Sequence, residues 1–448
     1  MIGSVVRSGL WCCAMLSVAL CADFDAGRRA YEKGEFATAV HEWRPLAEKG
    51  HAGAQFGLGV LYASGQGVAQ DFGEALKWYL RAAKQGDVRA QCNAGLMYDQ
   101  GQGVPQNHAE ALKWFRLAAQ QGDQMAQFNL ALMYEKGQGG PQNFAEAARW
   151  YRKASLQGNA AAQSNLGALY EQGQGVTLNY AEALRLYRLA AKQGDAVAQC
   201  SLGLMYANGR GVPKDEKQAI EWYRLAAEQG YPDAQYNLGV LYDRGQSVPQ
   251  DYAAALRWYT LAAGQGHSEG QSNLGVMYDK GKGIPKDYAA AWKWYHAAAE
   301  QGNAAAQFNL ARMLVLAHGV ERNFPEAVKW YRMAAEQGNA DAQYNLGVIF
   351  HNGEGRGISQ DYKEAAKWYL MAAEQGNLDA QFNLGVLYMS GQGVPFNPVQ
   401  AYMWFELASA EGDADAIENR DKLAEKLPPA RLQEAKALVK AWKPRKKP

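Results

Sequence analysis

One short pattern in the sequence is typical of a catalytic nucleophile, a serine flanked by glycines in Gly266-His-Ser268-Glu-Gly270. In hydrolases such a serine stands on a sharp turn between a strand and a helix, which exposes its hydroxyl. Here the flanking residues recur at a fixed interval, and the equivalent stretch 302–306 reads Gly-Asn-Ala-Ala-Ala. We therefore expect a turn between two helices at Ser268 and predict no catalytic residue and no enzyme activity.

Metal and phosphate chemistry also lack the residue patterns that they need. The seven histidines show no metal-ligand spacing, and neither His41 nor His51 has a cysteine or carboxylate partner at a ligand interval. The glycine-rich loops, such as Gly65-Gln-Gly67, follow predicted helices, whereas phosphate-binding loops follow strands. We predict no metal site and no cofactor. The histidines are His41, His51, His108, His267, His296, His318 and His351.

The charge balance argues against nucleic acid as a partner. The 448 residues include 46 basic and 45 acidic side chains, which leaves a net charge of +1. A protein that binds a phosphate backbone usually carries a basic excess. Only the C-terminal tail is locally basic, with Lys443, Arg445, Lys446 and Lys447, and a short basic end of this kind is typically solvated.

The first 22 residues resemble a secretory signal peptide. Arg7 precedes an apolar run from Gly9 to Leu20, and small residues follow. The run is too short to span a bilayer comfortably, and no stop-transfer segment follows it. We expect cleavage near Ala22, no transmembrane span in the mature chain, and export to the periplasm or beyond. Lipid attachment at Cys21 is the alternative, although Leu20 is bulky for such a signal.

A repeat of 36 residues organises most of the chain. An Ala-Gln or Gly-Gln pair recurs at a constant step and then once after a step of 38. A fixed period in this range predicts a solenoid, which grows by stacking units. The pairs contain Gln55, Gln91, Gln127, Gln163, Gln199, Gln235, Gln271, Gln307, Gln343 and Gln381.

Each unit is predicted to be two antiparallel helices, because its apolar residues fall at spacings of three and four. We expect an N-terminal capping pair at 23–50, ten repeats at 51–412, and capping helices with the basic tail at 413–448. Asp71 and its equivalents are expected to begin the second helices, with Glu74 and its equivalents completing a capping box. Gly86 and its equivalents are expected to end them.

Two further columns predict how the helices pack. Gly59 and its equivalents lie in mid-helix, where glycine costs roughly 1 kcal/mol against alanine. We expect a helix to approach closely there, through the column of Ala82, Ala118, Ala226 and Ala334. The column of Trp78, Trp114 and Trp150 is expected to wedge between successive units.

The assembled pattern resembles the Sel-one-like repeat family, a relative of the tetratricopeptide repeat. It reads A-x-x-A-Q-x-N-L-G-x-x-Y, then G-x-G-V-x-x-D, then A-x-x-W-Y-x-x-A-A-x-x-G. The resemblance covers all ten copies and implies an all-α, right-handed superhelical solenoid. It also implies an adaptor that holds proteins or peptides, common among exported bacterial proteins. Some members carry a disulfide in each unit, and this chain departs from them.

The resemblance further implies that the first helix of each pair lines a groove. An asparagine column there could bond an extended peptide through its amides, or each asparagine could tie its helix to a neighbouring loop. The preceding column varies between aromatic and small residues, through ligand shaping or through packing. The residues concerned are Asn93, Asn129, Asn165, Asn237, Asn273, Asn309, Asn345 and Asn383, with Tyr236, Phe308, Tyr344 and Phe382 before four of them.

The eighth unit breaks the pattern at Arg312-Met-Leu-Val-Leu-Ala-His318. Val315 and Leu316 stand where other copies carry polar residues, so we expect an exposed apolar patch for a partner, beside Arg312. Drift in a redundant repeat is the alternative. The next unit has two additional residues in the loop 353–357.

We therefore predict an exported, monomeric scaffold that binds a protein or peptide in its groove. Two other functions remain open, an accessory factor for peptidoglycan enzymes and a secreted effector that acts on a host protein.

Overall fold

The computed structural model describes residues 22–353 and 357–445. These residues form 24 α-helices and one short 3₁₀ turn, and they contain no strand. The prediction of an all-α solenoid of helix pairs is confirmed. The predicted signal peptide with Cys21 lies outside the described residues, except for Ala22. Lys446, Lys447 and part of the loop 353–357 also lie outside them.

The chain forms two compact units, Met1–Ala226 and Ala227–Pro448. In the first unit the helices are α1 (Ala22–Glu32), α2 (Phe36–Glu48), α3 (Ala52–Ser64), α4 (Phe72–Lys84), α5 (Val88–Gln100), α6 (His108–Gln120), α7 (Gln124–Lys136), α8 (Phe144–Leu156), α9 (Ala160–Gln172), α10 (Tyr180–Lys192), α11 (Ala196–Asn208) and α12 (Glu216–Glu228), whose last two residues belong to the second unit.

The second unit continues the same alternation of first and second helices. Its helices are α13 (Pro232–Arg244), α14 (Tyr252–Gly264), α15 (Ser268–Lys280), α16 (Tyr288–Glu300), α17 (Ala304–Leu316), α18 (Phe324–Glu336), α19 (Ala340–Asn352), α20 (Tyr362–Glu374), α21 (Leu378–Ser390), α22 (Pro398–Ala408), α23 (Ala414–Lys426) and α24 (Pro429–Ala441). The 3₁₀ turn Ser409–Glu411 follows α22.

The second helices begin at the predicted caps, but the capping box forms only in part. The Asp71 carboxylate accepts the N–H of Glu74 at 3.0 Å. A full box would return the Glu74 side chain to the Asp71 N–H. That N–H instead donates to the Tyr62 carbonyl at the end of α3, and Glu74 pairs with Lys77. The cap therefore also joins the two helices of one repeat.

The mid-helix glycines face aromatic rings, and the predicted alanine surface is wrong. A Cβ on Gly59 would lie 2.6 Å from Cδ1 of Tyr79 in the same repeat. The alanines of the second helices lie against the following first helix instead, since a Cβ on Gly270 would lie 3.0 Å from Cβ of Ala262. The tyrosine ring of the second helix lies against the glycine of the first helix. The glycine is needed there because the ring fills the space that any side chain at that position would occupy.

The tryptophan column packs between successive repeats, as predicted. Trp114 on α6 belongs to one apolar cluster with Phe56 on α3, Tyr79 on α4 and Met97 on α5. In the second unit, Trp404 on α22 packs in a cluster with Leu346 and Tyr369 of the preceding repeat. Each tryptophan thus closes the core of the unit before its own.

Candidate functional site

The predicted asparagines all lie half-buried on one side of the first helices, which we call the first-helix face. In the first unit, the Asn165 amide donates to the Tyr151 hydroxyl of the preceding repeat at 3.0 Å. Nδ2 of Asn129 is buried and has no hydrogen-bond partner among the described residues. Asn93 occupies the equivalent position on α5.

In the second unit the asparagine amides take part in different contacts. Nδ2 of Asn345 donates to the carbonyl of Asp341 one turn earlier on the same helix, at 2.7 Å. The Asn273 amide interacts with Tyr259 and acts to lower its pKa, and the Asn383 amide acts on the pKa of Tyr344 in the same direction. Asn237 and Asn309 are half-buried at the same position. The contacts of asparagines with tyrosines therefore join neighbouring repeats. The alternative stated above was a contact between each asparagine and a neighbouring loop.

The aromatic column combines packing with partial exposure. Tyr236, Phe308, Tyr344 and Phe382 are each half-buried. Each ring lies against the second-helix aromatic residue of its own repeat, with centroids 5.6–6.1 Å apart for Phe382–Phe405 and Tyr344–Tyr369. The small residues in this column, such as Ser272, are buried. Among the described repeats, these four rings therefore offer apolar surface at this position, whereas Phe56 and the small residues are buried.

The predicted apolar patch of the eighth repeat is smaller than expected. Leu316 is 47% exposed, but Val315 is half-buried and packs against the core cluster of the last repeats. The pair does not form one exposed surface, because Val315 points toward the core. Arg312 donates to the buried Asp279 carboxylate of the preceding repeat at 2.7 Å. Its guanidinium thus has a structural partner.

A second set of polar contacts along the first helices escaped the sequence analysis. A carboxylate near the end of a first helix accepts the hydroxyl of the second-helix tyrosine and pairs with a base of the following repeat. Glu171 accepts Tyr187 Oη at 3.0 Å and pairs with Arg210 at 3.1 Å. Burial, with the charge of Glu171, raises the pKa of Tyr187 well above its ordinary range. Asp243 pairs similarly with Lys282 at 2.9 Å.

The glutamines that mark the period form a ladder, which the sequence analysis did not assign. Nε2 of Gln271 donates to the Ala263 carbonyl at the end of the preceding helix. Its Oε1 accepts Nε2 of Gln301, which follows the second helix of the same repeat, at 2.7 Å. The same bonds recur at Gln55, Gln91, Gln127 and Gln163 in the first unit. The recurrence of the glutamine was the signal, and its role is structural.

Three of the predicted residues line one pocket in the second unit. Tyr344, Phe382 and Asn383 surround a volume of about 400 Å³ beside the start of α21. The carboxylates of the pocket are Asp379, Glu411, Asp413 and Asp415. Burial of the Tyr344 hydroxyl raises the pKa of Tyr344, and the negative charge of Asp379 raises it further. Aromatic walls with several carboxylates suit a cationic group on an apolar stem.

The serine of the Gly-x-Ser-x-Gly pattern lies where the repeat predicts. Ser268 is the first residue of α15, after a turn between two helices. His267 caps this helix, since its Nδ1 accepts the N–H of Gly270 at 3.0 Å, and its Nε2 lies 3.1 Å from Asp233. Both imidazole nitrogens of His267 therefore take part in contacts that stabilise the turn. Among residues 22–353 and 357–445 no group of histidine, cysteine and acidic side chains could hold a metal ion.

The fold and this face define a helical-hairpin repeat protein. The Sel1 repeat model matches ten consecutive segments, which run without a gap from residue 52 to residue 413. The chain belongs to the Sel1 repeat family. In the described part of the chain, no helix combines the length and apolar character needed to cross a bilayer.

Solved structures agree with this assignment. A protective antigen of uropathogenic Escherichia coli with an SLR fold is 38% identical, and the alignment covers 94% of this chain and 91% of that protein with a TM-score of 0.76. A Sel1 repeat protein from Oxalobacter formigenes is 37% identical, over 55% of this chain and 96% of that one, with a TM-score of 0.51.

A shorter similarity connects the chain to a regulator of exopolysaccharide production. A negative regulator from Rhizobium leguminosarum bv. viciae is 46% identical over 56 residues, which is 12% of this chain. The matched segment spans about a fifth of that protein, 21% of its length. The similarity therefore concerns the repeat.

Proposed function

We propose that the chain is an exported scaffold that binds a peptide or protein partner on its first-helix face. Membership in the Sel1 repeat family supports a role in protein–protein interaction. The observation that carries the more specific proposal is the pocket of Tyr344, Phe382 and Asn383, in which two rings stand beside four carboxylates. A lysine or arginine side chain would bury its stem between the rings and bring its charge to the carboxylates.

Export is supported by the apolar leader at residues 1–22 and by the similarity to a protective antigen. The same similarity favours a function outside the cytoplasm, including an effector that meets a host protein. A role as an accessory factor for peptidoglycan enzymes is supported only by the apolar leader, which is consistent with export. A monomer remains the expected oligomeric state.

Selection from a random peptide library on the full chain tests this function. We expect the selected peptides to share a lysine or arginine. Asp379→Lys should weaken their binding about tenfold, because it places a cation in the pocket at the cost of an attractive charge. Asp341→Lys is the matched control, since Asp341 occupies the same position on α19 and does not line the pocket.

The proposal fails if no peptide is selected, or if both charge reversals weaken binding equally. Equal weakening would indicate attraction to the overall charge of the unit. Loss of peptide binding with Phe382→Leu, together with retained binding with Phe382→Tyr, would show that the aromatic ring at position 382 contributes to binding.

A further inference from the structure

The tenth repeat contains a buried hydrogen-bond acceptor that the preceding repeat satisfies internally. Gln381 is 1% exposed, and no described residue donates to its Oε1. In the preceding repeat the equivalent acceptor, Oε1 of Gln343, receives Nε2 of Gln375 at 2.8 Å. A buried acceptor without a partner destabilises the folded chain. A donor supplied by a ligand would therefore bind here without displacing a protein group.

The donor is missing because a glutamate replaces a glutamine. Glu411 occupies the position of Gln375 in its repeat. The glycine that follows keeps the same left-handed backbone, with φ +85° at Gly412 and +90° at Gly376. An ionised carboxylate accepts hydrogen bonds and donates none, so Glu411 cannot complete this step. Glu411 is exposed and lines the pocket on the first-helix face instead.

Gln381 lines a second pocket, which we call the α22–α24 pocket. It lies between the start of α21, the end of α22 and the end of α24, and its volume is about 580 Å³. That volume is within the range of sites that hold small organic groups. Among the described residues, Leu378 alone lines both this pocket and the one on the first-helix face. The apolar lining residues, each half-buried, are Leu378, Leu407, Val439 and Trp442.

The other polar side-chain groups of the α22–α24 pocket already have partners. The Glu406 carboxylate lies 3.4 Å from Nε of Arg420. Oγ of Ser409 donates to the Glu406 carbonyl at 2.8 Å. Nε2 of Gln381 donates to the Ala373 carbonyl at 3.1 Å, which fixes the orientation of the amide. Within the described part of the chain, the lining thus presents one neutral acceptor without a partner, among apolar walls.

The complementary group has one N–H donor on an apolar body and no acceptor of its own. A carboxamide would bring a carbonyl and a second N–H that also need partners. An ammonium would bring a charge, and the carboxylate of the pocket, Glu406, is already paired with Arg420. The indole ring has a single donor and no acceptor. Its faces pack well on another aromatic ring and on aliphatic side chains.

We propose that the α22–α24 pocket binds an indole ring, which donates its N–H to Oε1 of Gln381 and packs against Trp442 and Leu407. The tryptophan side chain of a peptide and a free indole compound share this chemistry. This site is independent of the pocket proposed above for a basic side chain, because it rests on a different acceptor and different walls.

Titration of the full chain with indole and N-methylindole tests the inference, because these probes differ chiefly in the N–H donor. The Nε1–H signal of Trp442 in a two-dimensional NMR spectrum of the isotope-labelled protein reports binding. Its absence from the spectrum of Trp442→Phe assigns it. We expect both probes to shift this signal, and indole to bind about fivefold more tightly, which is the typical net effect of one hydrogen bond.

Two variants change the acceptor in opposite ways. Gln381→Met keeps the length of the side chain and removes the acceptor, so it should abolish the preference for indole over N-methylindole. Glu411→Gln supplies the missing donor from the chain itself and should weaken indole binding about fivefold. Asp415→Asn is the matched control, since it removes one nearby carboxylate charge without lining the α22–α24 pocket. It should leave indole binding unchanged.

Equal affinities of the wild type for indole and N-methylindole would overturn the proposal, as would the absence of any shift of the Trp442 signal. An unchanged indole affinity in Glu411→Gln would also contradict it, and this variant does not depend on the folding of Gln381→Met. A third probe, N-acetyltryptophanamide, separates the two sources. Its binding would support the tryptophan side chain of a peptide, and binding of indole alone would support a free indole compound.

Discussion

Ala317 holds a backbone conformation that the other first helices give to glycine. Its φ is +57°, at the position where α15 ends with Gly281 at φ +70°. The left-handed region places the Cβ of an L-residue close to a carbonyl oxygen, and glycine avoids this contact. The eighth repeat therefore contains local strain where its sequence departs from the pattern.

Ala317→Gly should raise the free energy of unfolding by roughly 0.5–1 kcal/mol, since relief of strain exceeds the added entropy of the unfolded glycine. Urea unfolding followed by circular dichroism measures the change in midpoint. Gly281→Ala is the reverse change at the matched position and should lower the midpoint. A lower midpoint for Ala317→Gly would contradict this account of the residue.

Asp195, the cap of α11, is an acid in a partly buried position. Burial raises its pKa, against the hydrogen bond from the Ala198 N–H, which lowers it. A folded pKa above the unfolded value means that ionisation costs more in the folded chain. The favourable contribution is thus complete below the unfolded pKa, about 3.9, and is lost as pH rises through the folded pKa.

Asp195→Asn should therefore gain stability relative to the wild type as pH rises above about 4. Asparagine keeps the cap, as Asn159 does on α9 with the N–H of Ala162, and has no charge to bury. Urea midpoints of both proteins from acid to neutral pH measure the effect. A difference that stays constant with pH would show that ionisation of Asp195 is not responsible.

The elements are connected by a ladder of glutamine bonds between helix ends. In each step the glutamine of a first helix donates to a carbonyl at the end of the preceding second helix. The same glutamine accepts the amide of the glutamine that follows the second helix of its own repeat. Such carbonyls lack partners inside the helix. The last step is incomplete, because Glu411 stands where the other repeats have a donor glutamine, and Oε1 of Gln381 has no partner among the described residues.

Gln271→Leu should lower the free energy of unfolding by about 1–3 kcal/mol, because it removes two hydrogen bonds, one to the Ala263 carbonyl and one from the Gln301 amide. Gln381→Leu is the control at the end of the ladder. It loses only the bond to the Ala373 carbonyl and should cost less. Urea unfolding of both variants measures the two losses in free energy of unfolding. Equal losses would contradict a contribution of the ladder to stability.

Helix pairs and their caps could be predicted from the sequence, because local chemistry decides them. Asp71 and Gly86 act through contacts within a few residues. The partner of Gly59 could not be predicted, since glycine marks a close approach without naming the group that approaches. The half-buried position of Val315 could not be predicted either. Polar residues at the equivalent position of the other repeats suggested an exposed site, but they do not show which side of the helix contacts the following repeat.

At the scale of the whole molecule, the repeat offers similar surfaces in each unit, and the differences between copies determine what binds. Among the described residues of this column, partly exposed rings such as Tyr236 and Phe382 replace buried small residues such as Ser272 and Cys92. Pocket residues from α19, α21 and the turn before α23 meet only at the C-terminal end of the second unit. Binding is therefore expected to concentrate there.

Site-specific photo-crosslinking tests this central claim most directly. A photoreactive phenylalanine analogue is placed at Phe382 or Tyr344 of the full chain, and at Leu261 as a control, since Leu261 is exposed on a second helix. With a selected basic peptide, the account predicts adducts from positions 382 and 344, with none from position 261. Adducts from position 261 alone, or equal adducts from all three positions, would contradict binding on the first-helix face.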